Sequence, residues 1–483
     1  MPQNTRHSIP GYCLALGARQ TEGCHIWPGS SSRKSWEKKP KRIEYFEKFL
    51  LFVALIDDES NRFCFGAFDT FGDLVHKLMC DLVLQKKLIF VSTLQFLLLG
   101  GLLGWLAWGD GPEVRRLAWI LVLPLGWGMA RTRVAASMLV MGYFLASTRG
   151  LPVGALVFFG DSAPQWFGWV LWGAACALLT APFCLLWSPR RRALDWRFPA
   201  AAAVSVIPPL AIIGWVNPLA VAGVIFPGFG WAGVVLALGM MSALAVRHWK
   251  SIAVLALVSI IANWAAVLIE VKVPSGWQGV DTNFSGQSGA GNDAGHLLAS
   301  MRRVAWLNQF ATTMPANSVR VLPENILGTL DGVAEFSLQA TVAALNARGS
   351  RLLVGAEVPQ PNGQFKNVVM VLGANKGDKQ VAIQNIPVPY SMWKPWTSDG
   401  AVADLFGRQN WLLVNGLRAG VVVCYEETLA YSLMWMMINK PDLIVAVSNV
   451  WWARNTSVPN IQRQMTNSFG RLFGVPVVDS RNF

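Results

Sequence analysis

The uncharged apolar stretches between about Leu88 and Val271 constrain this chain more than any other feature. Backbone placed in hydrocarbon must satisfy its own N–H and C=O groups, so such stretches fold as helices. Leu88–Trp108 and Trp166–Trp187 are each about as long as a bilayer core requires. Tryptophans stand at both ends of the second, where interface anchors belong. Leu117–Ala130, Val134–Ala146, Phe198–Trp215, Trp231–Val246 and Ile252–Val271 continue the series, and together they predict an α-helical membrane bundle of about seven spans.

Composition agrees. The chain is 53% hydrophobic and 14% charged, where soluble domains carry roughly 25% charged residues. A net charge of +13 would fit a nucleic-acid partner. Here, however, the basic residues form short clusters between apolar stretches, which is how membrane topology is written. Lys86-Lys87, Arg131 with Arg133, Arg190-Arg191-Arg192, and Arg247, His248 and Lys250 all fall on one side if the spans alternate. That side is the cytoplasm, so the N-terminus is expected inside a bacterial inner membrane and everything after Val273 outside it, in the periplasm. Arg115-Arg116 is the one clustered exception. No direct nucleic-acid binding is expected.

Three domains are expected: 1–85, 86–272 and 273–483. The first lacks the apolar core and small-residue cleavage site of a secretory signal. It carries the basic run Lys38-Lys39-Pro40-Lys41-Arg42, as a solvated cytoplasmic tail would. Glu44–Leu55 and Phe68–Leu84 have amphipathic helical spacing. Cys13 and Cys24 have no histidine pair at zinc-finger spacing, so no metal is expected.

The last domain alternates strands with helices. Ser318–Leu322, Leu352–Val354, Gly420–Cys424 and Leu443–Val447 read as buried strands, and Val368–Leu372 with Val381–Ile383 as an antiparallel pair. Gly295–Thr313, Gly332–Ala347, Leu429–Ile438 and Asn460–Leu472 read as helices. The pattern is that of an α/β layered domain. Three strand ends carry chemistry: Pro323-Glu324-Asn325, Cys424-Tyr425-Glu426-Glu427, and Ser448-Asn449-Val450-Trp451-Trp452. Cys424 is the only cysteine after Cys184. A thiol needs a base or positive surroundings to attack an acyl carbon at neutral pH. A helix starting at Cys424 would lower its pKa, Glu324 would take its proton, and a backbone N–H beyond it would hold an oxyanion. His296, the only histidine of this domain, lies outside these motifs, which argues against a Cys–His pair. Glu426 is expected to support the site through hydrogen bonds, beside Tyr425, Asn449 and Trp451.

These motifs resemble those of the nitrilase, or carbon–nitrogen hydrolase, superfamily, which implies an αββα sandwich and a Glu–Lys–Cys triad. Joined to a multi-span half, they are similar to the apolipoprotein N-acyltransferase family. Gln462-Arg463-Gln464-Met465, Arg471 and Gly474-Val475-Pro476 resemble that family's terminal helix and strand. Tyr143-Phe144-Leu145-Ala146-Ser147-Thr148-Arg149-Gly150-Leu151-Pro152 resembles TraB-type conjugal transfer proteins of plasmids. The likeness covers roughly residues 88–483. It implies acyl transfer from a phospholipid to a lipoprotein or other amine through a Cys424 thioester, with Glu324 as base and no cofactor. Two departures stand out. Gln384 occupies the position of the family's lysine, and Met392 that of its second glutamate. Gln384 would then serve as an oxyanion donor, or Lys394 or Lys379 would replace the lysine. The chain also ends at Phe483, short of the further strands and last span of those relatives, so it reads as truncated, with an unpaired final sheet edge. A second reading follows from the departures: a conjugation-associated membrane protein that keeps the fold while catalysis is weak or lost.

Overall fold

A computed structural model describes residues 91–483, except positions 110, 112, 160–162, 191–194, 270, 285–293, 331 and 374–378. The N-terminal extension, with Glu44–Leu55 and Phe68–Leu84, lies outside the described residues, as does Lys86-Lys87. All that follows concerns the unit Asp81–Phe483.

Its helical part contains α1 (Val91–Ala107), then α2 (Val122–Met129), α3 (Arg133–Ser147), α4 (Leu151–Phe159), α5 (Phe167–Leu186), α6 (Arg197–Val204), α7 (Ala222–Ile225), α8 (Gly230–Val246) and α9 (Trp249–Leu268). Among the described residues only α5 and α9 are singly long and apolar enough to cross a membrane. The number rises to 4 if two bent pairs each count as one span: α3 with α4, bent by 48°, and Pro218–Ile225 with α8, bent by 115°. The expected seven spans are therefore not met, and the reason is backbone chemistry that hydropathy does not register. Leu117–Ala130 divides between a 3-10 helix, Val114–Leu121, and the short α2. Phe198–Trp215 is helical only in α6, whose 8 residues rise about 12 Å against a core of about 30 Å. Pro208 and Pro209 follow and cannot donate helical hydrogen bonds. The chain continues as turns and a 3-10 segment, Leu210–Ile213.

Side chains from the surrounding protein satisfy this broken segment, as buried non-helical backbone requires. Tyr143 Oη donates to the Val216 carbonyl (2.9 Å), Tyr425 Oη donates to the Ile212 carbonyl (2.6 Å), and Asn217 Nδ2 donates to Ser205 Oγ (2.7 Å).

The layered part holds two sheets. The first has the order β1 (Trp277–Gly279), β2 (Val319–Val321), β3 (Arg351–Pro359), β4 (Gln364–Leu372), β5 (Val381–Ile383), with β6 (Gly400–Ala401) beside β4. The second runs β10 (Val477–Asn482), β9 (Leu443–Asn449), β8 (Leu417–Val423), β7 (Trp411–Val414). The central strands β8, β9 and β10 are parallel. The β4–β5 pair is antiparallel, as its sequence predicts. Alternation along β8 sends Val421 and Val423 into the core between the sheets, facing Val321, Leu353 and Val369. Val422 points the other way. Burial on both faces explains the unbroken β-branched run.

Helices α10 (Ala294–Thr313), α11 (Gly332–Ser337) and α12 (Gln339–Arg348) belong to the first sheet, and α13 (Ala430–Met437) and α14 (Val458–Phe473) to the second. The order of layers is αββα. Leu433 and Met436 of α13, with Ile461, Met465 and Phe469 of α14, share one continuous core with Leu139, Phe144, Leu219 and Phe226 of the helical part. The second helix layer is thus the joint between the two parts. The final sheet edge is not bare: Thr282 N donates to the Arg481 carbonyl (2.9 Å), and Phe483 N donates to the Thr282 carbonyl (3.0 Å).

Candidate active site

Strand β8 delivers Cys424 to a sharp corner. The residue takes φ +48°, a left-handed conformation costly for a side chain with a Cβ. A 3-10 turn, Cys424–Thr428, follows, and α13 begins only at Ala430. Glu426 clamps the corner: its Oε2 accepts from Val423 N (3.1 Å) and its Oε1 from Asn385 N (2.8 Å) and Ile386 N (3.0 Å). Burial pushes its carboxyl up to about 7 against the pull of those N–H groups. Its neighbour Glu427 forms an ion pair with Arg481 (2.8 Å), both side chains fully buried, and accepts from the Ser448 hydroxyl. Two adjacent carboxylates therefore do structural work on either side of the elbow.

Glu324 follows β2 and meets the thiol from the opposite sheet. Its Oε1 accepts from Asn367 Nδ2 (2.6 Å) and its Oε2 from the Asn449 N–H (3.1 Å). Burial pushes it up to about 7, opposed chiefly by its hydrogen bond to Cys424. The Cys424 thiol is held well above its ordinary range, first by burial, then by the charge and hydrogen bond of Glu324 and the charge of Glu427. The sequence-based expectation of a helix-lowered thiol is thus reversed. No α-helix starts at Cys424, and carboxylates dominate its field. The thiol rests protonated, and Glu324 is placed to take the proton during attack.

The remaining candidates divide clearly. Gln384 is in the network but not in an open site: Nε2 donates to the Val423 carbonyl (2.9 Å), and Oε1 accepts from Asn367 Nδ2 (3.1 Å). Its amide buttresses the elbow and aligns the Glu324 partner, so the oxyanion role expected of it is not met. Lys394 lines a cleft beside Cys424 but pairs with Asp399 at 3.6 Å. Lys379 lies over Trp411, 4.0 Å from the ring centroid. Each ammonium group is thus held by a partner other than Cys424 or Glu324. Tyr425 ties the elbow to the broken segment of the helical part, since its hydroxyl also accepts from Trp215 Nε1 (2.8 Å). Asn449 contributes its backbone N–H, and Trp451 lines the same cleft as Glu324.

Two residues were not legible as site members. Gln462 on α14 donates from Nε2 to the Cys424 carbonyl (3.0 Å) and lies 4.0 Å from Sγ. Glu357 on β3 accepts from Asn325 Nδ2 (2.7 Å) and is pushed up to about 7 by burial. Nothing local in the sequence links α14 or the end of β3 to Cys424.

Cys424 is shared by two clefts. One, of about 140 Å³, runs into the helical part between Phe158, Phe159, Trp172, Trp215 and Tyr425. The other, of about 600 Å³, lies in the layered part and carries Glu324, Glu357, Lys394, Asp399 and Asn449. Phe158, Val388, Ser391 and Trp452 border both. Trp452 fits against α4 because a Cβ at Gly154 would come within 2.6 Å of its ring. Among the described residues no group of three or more His, Cys, Asp or Glu side chains is placed to hold a metal ion.

No family model matches the chain. A solved amidase of the nitrilase superfamily from Nesterenkonia AN1 aligns with 43% of the chain and 78% of its own length, at 14% identity and a TM-score of 0.28. A carbon–nitrogen hydrolase from Helicobacter pylori G27 aligns with 42% and 73%, at 14% identity and a TM-score of 0.30. Whole-sequence relatives are nearer. The probable conjugal transfer protein TraB of Sinorhizobium fredii is 32% identical over 409 residues, 83% of this chain and 98% of that protein. The conjugal transfer protein TraB of Agrobacterium fabrum is 32% identical over 405 residues, 79% of this chain and 90% of that protein. With identity sustained across both the helical and the layered parts, the chain belongs to the TraB family of conjugal transfer proteins.

Proposed function

We propose that the protein is a membrane-bound acyltransferase that works through a Cys424 thioester in plasmid conjugal transfer. The observation that carries this reading is the position of Cys424 on the shared wall of an apolar cleft and a polar one. An acyl chain belongs in the first and a polar nucleophile in the second. A phospholipid suits the donor role, because the apolar cleft opens among the apolar helices α4 and α5. An amine, on a lipoprotein or another molecule, suits the acceptor role. The basic clusters favour a bacterial inner membrane, with the layered part on the periplasmic side.

The chemistry balances without a cofactor. Glu324 takes the thiol proton as Sγ bonds to the ester carbonyl carbon. The tetrahedral intermediate collapses, the C–O bond breaks, and the leaving alcohol receives that proton. The amine then attacks the thioester, Glu324 takes an amine proton, the C–S bond breaks, and the thiol regains the proton. Gln462 Nε2 lies 4.0 Å from the reacting sulfur, and it would help hold the oxyanion.

The second reading, a retained fold with lost catalysis, is favoured by one observation: Gln384 stands in the lysine position, and its amide is engaged by Val423 and Asn367. The test is transfer of a labelled acyl chain from phospholipid to a primary amine by the purified full-length protein. Amide formation that disappears in Cys424→Ser supports the acyltransferase. Release of free fatty acid alone points to hydrolysis, and no turnover with any amine tried points to the inactive fold.

A further inference from the structure

A third cleft, of about 990 Å³, lies where the C-terminal turns of α9 meet α14 and the Val114–Leu121 helix. It shares no lining residue with the two clefts at Cys424. Its charge is unusual. Arg471 is held by neutral partners only: Nε donates to the Gly223 carbonyl (3.2 Å) and Nη2 to Asn263 Oδ1 (3.3 Å). Asn263 is fixed in turn by donating to the Val224 carbonyl (2.9 Å). Arg115 lines the same cleft, and no ion pair joins it to a described residue. Burial first, and then the charge of Arg115, lower the pKa of Arg471. Glu113 is the one carboxylate among the described lining residues.

The opposite wall is apolar. Ala262, Ala265 and Ala266 of α9 line it, with Ile269 just past the end of that helix. Elsewhere α9 exposes Leu257, Ile260, Trp264 and Leu268, the surface of a helix that faces hydrocarbon. A paired-arginine floor against a wall of small apolar residues fits a molecule with an anionic head and a hydrocarbon tail. It also accounts for Arg115-Arg116, the one basic cluster that breaks the alternation of charge. Arg116 turns back to the Leu106 carbonyl (3.3 Å), leaving Arg115 to the cleft.

We propose that this cleft binds the phosphate headgroup of an anionic phospholipid, whose acyl chain lies along α9. The lipid would be a bound structural partner, not the acyl donor, and the inference does not depend on chemistry at Cys424. The test is native mass spectrometry of the full-length protein in detergent, offered phosphatidylglycerol, phosphatidylcholine or inorganic phosphate. The expected result is retention of phosphatidylglycerol over phosphatidylcholine. Each of Arg115→Glu and Arg471→Gln should cut that retention by about fivefold, and Arg115→Lys should keep most of it. Ala266→Trp, which fills the apolar wall and leaves both arginines, should cut it as well. Equal retention of the two lipids, or unchanged retention in Arg115→Glu, would overturn the proposal. So would displacement of the lipid by millimolar inorganic phosphate, which would mark a soluble-anion site.

Discussion

The two clefts that meet at Cys424 differ in almost everything but the residues they share. The helical-side cleft is small and walled by rings, and its floor is the broken segment that carries Ile213, Trp215 and Val216. The layered-side cleft is larger and holds two carboxylates with raised pKa values, Glu324 and Glu357. Phe158 and Trp452, packed edge to face with centroids 5.7 Å apart, border both. On the proposed reading, the difference assigns binding and proton transfer to separate parts of the chain: the helical part shapes the space for an apolar group, and the layered part supplies the nucleophile and base. Mutations on the two sides should therefore fail in different ways.

The largest effect is expected on the layered side. Glu324→Gln removes the base and keeps the side chain's shape, with one oxygen left to accept from Asn367 or Asn449. Acylation of Cys424, measured in a single turnover, should slow by about 10²–10⁴-fold with lipid binding unchanged. A loss of binding together with rate would blur the division.

The pH dependence comes next. Glu324 must be ionised to act, and its carboxyl is raised to about 7. Acylation should therefore climb with pH through about 7, falling about tenfold for each unit below it. Stability should move the other way. A carboxyl raised in the folded state contributes stability that is complete below its ordinary pKa and is lost as pH rises through its folded value. Glu324, Glu357 and Glu426 all have folded values of about 7. The thermal midpoint should thus drop between pH 5 and pH 8, and Glu324→Gln should flatten that drop.

On the helical side, Ala155→Trp should fill the apolar cleft. Long-chain donors should lose about 1–3 kcal/mol of binding, while a short water-soluble ester should react as before. Equal losses for both esters would mean that the cleft does not read chain length. The smallest effect is expected at Lys394, which is partly exposed and paired with Asp399. Lys394→Ala should change acylation by less than about fivefold. A collapse in rate would make it the missing lysine.

Much of the layered side was legible in the sequence because its signals are local. The β-branched run before Cys424, the Pro-Glu strand end and the Ser-Asn strand end each mark one residue at a strand end; parallel pairing of β8 with β9 brings Cys424 beside Asn449, and packing of the two sheets adds Glu324. The helical side was less legible. Phe198–Trp215 is apolar enough to pass as a span, yet its helix ends at Val204, Pro208-Pro209 follow, and Asn217 caps a new 3-10 turn at Pro218. The thiol's pKa was read the wrong way because it depends on Glu324 and Glu427, which only the folded chain brings near. Gln384 could be seen as a missing lysine. That its amide is taken by Val423 and Asn367 depends on contacts between three strands.

The central claim is that Cys424 accepts an acyl group from lipid. The most direct measurement is the intact mass of the full-length protein after incubation with a phospholipid of defined chain. A mass increase equal to one acyl chain is predicted, localised to Cys424, removed by neutral hydroxylamine and absent in Cys424→Ala. An unmodified mass for the native protein at pH 8, with phospholipid bound, would contradict the account.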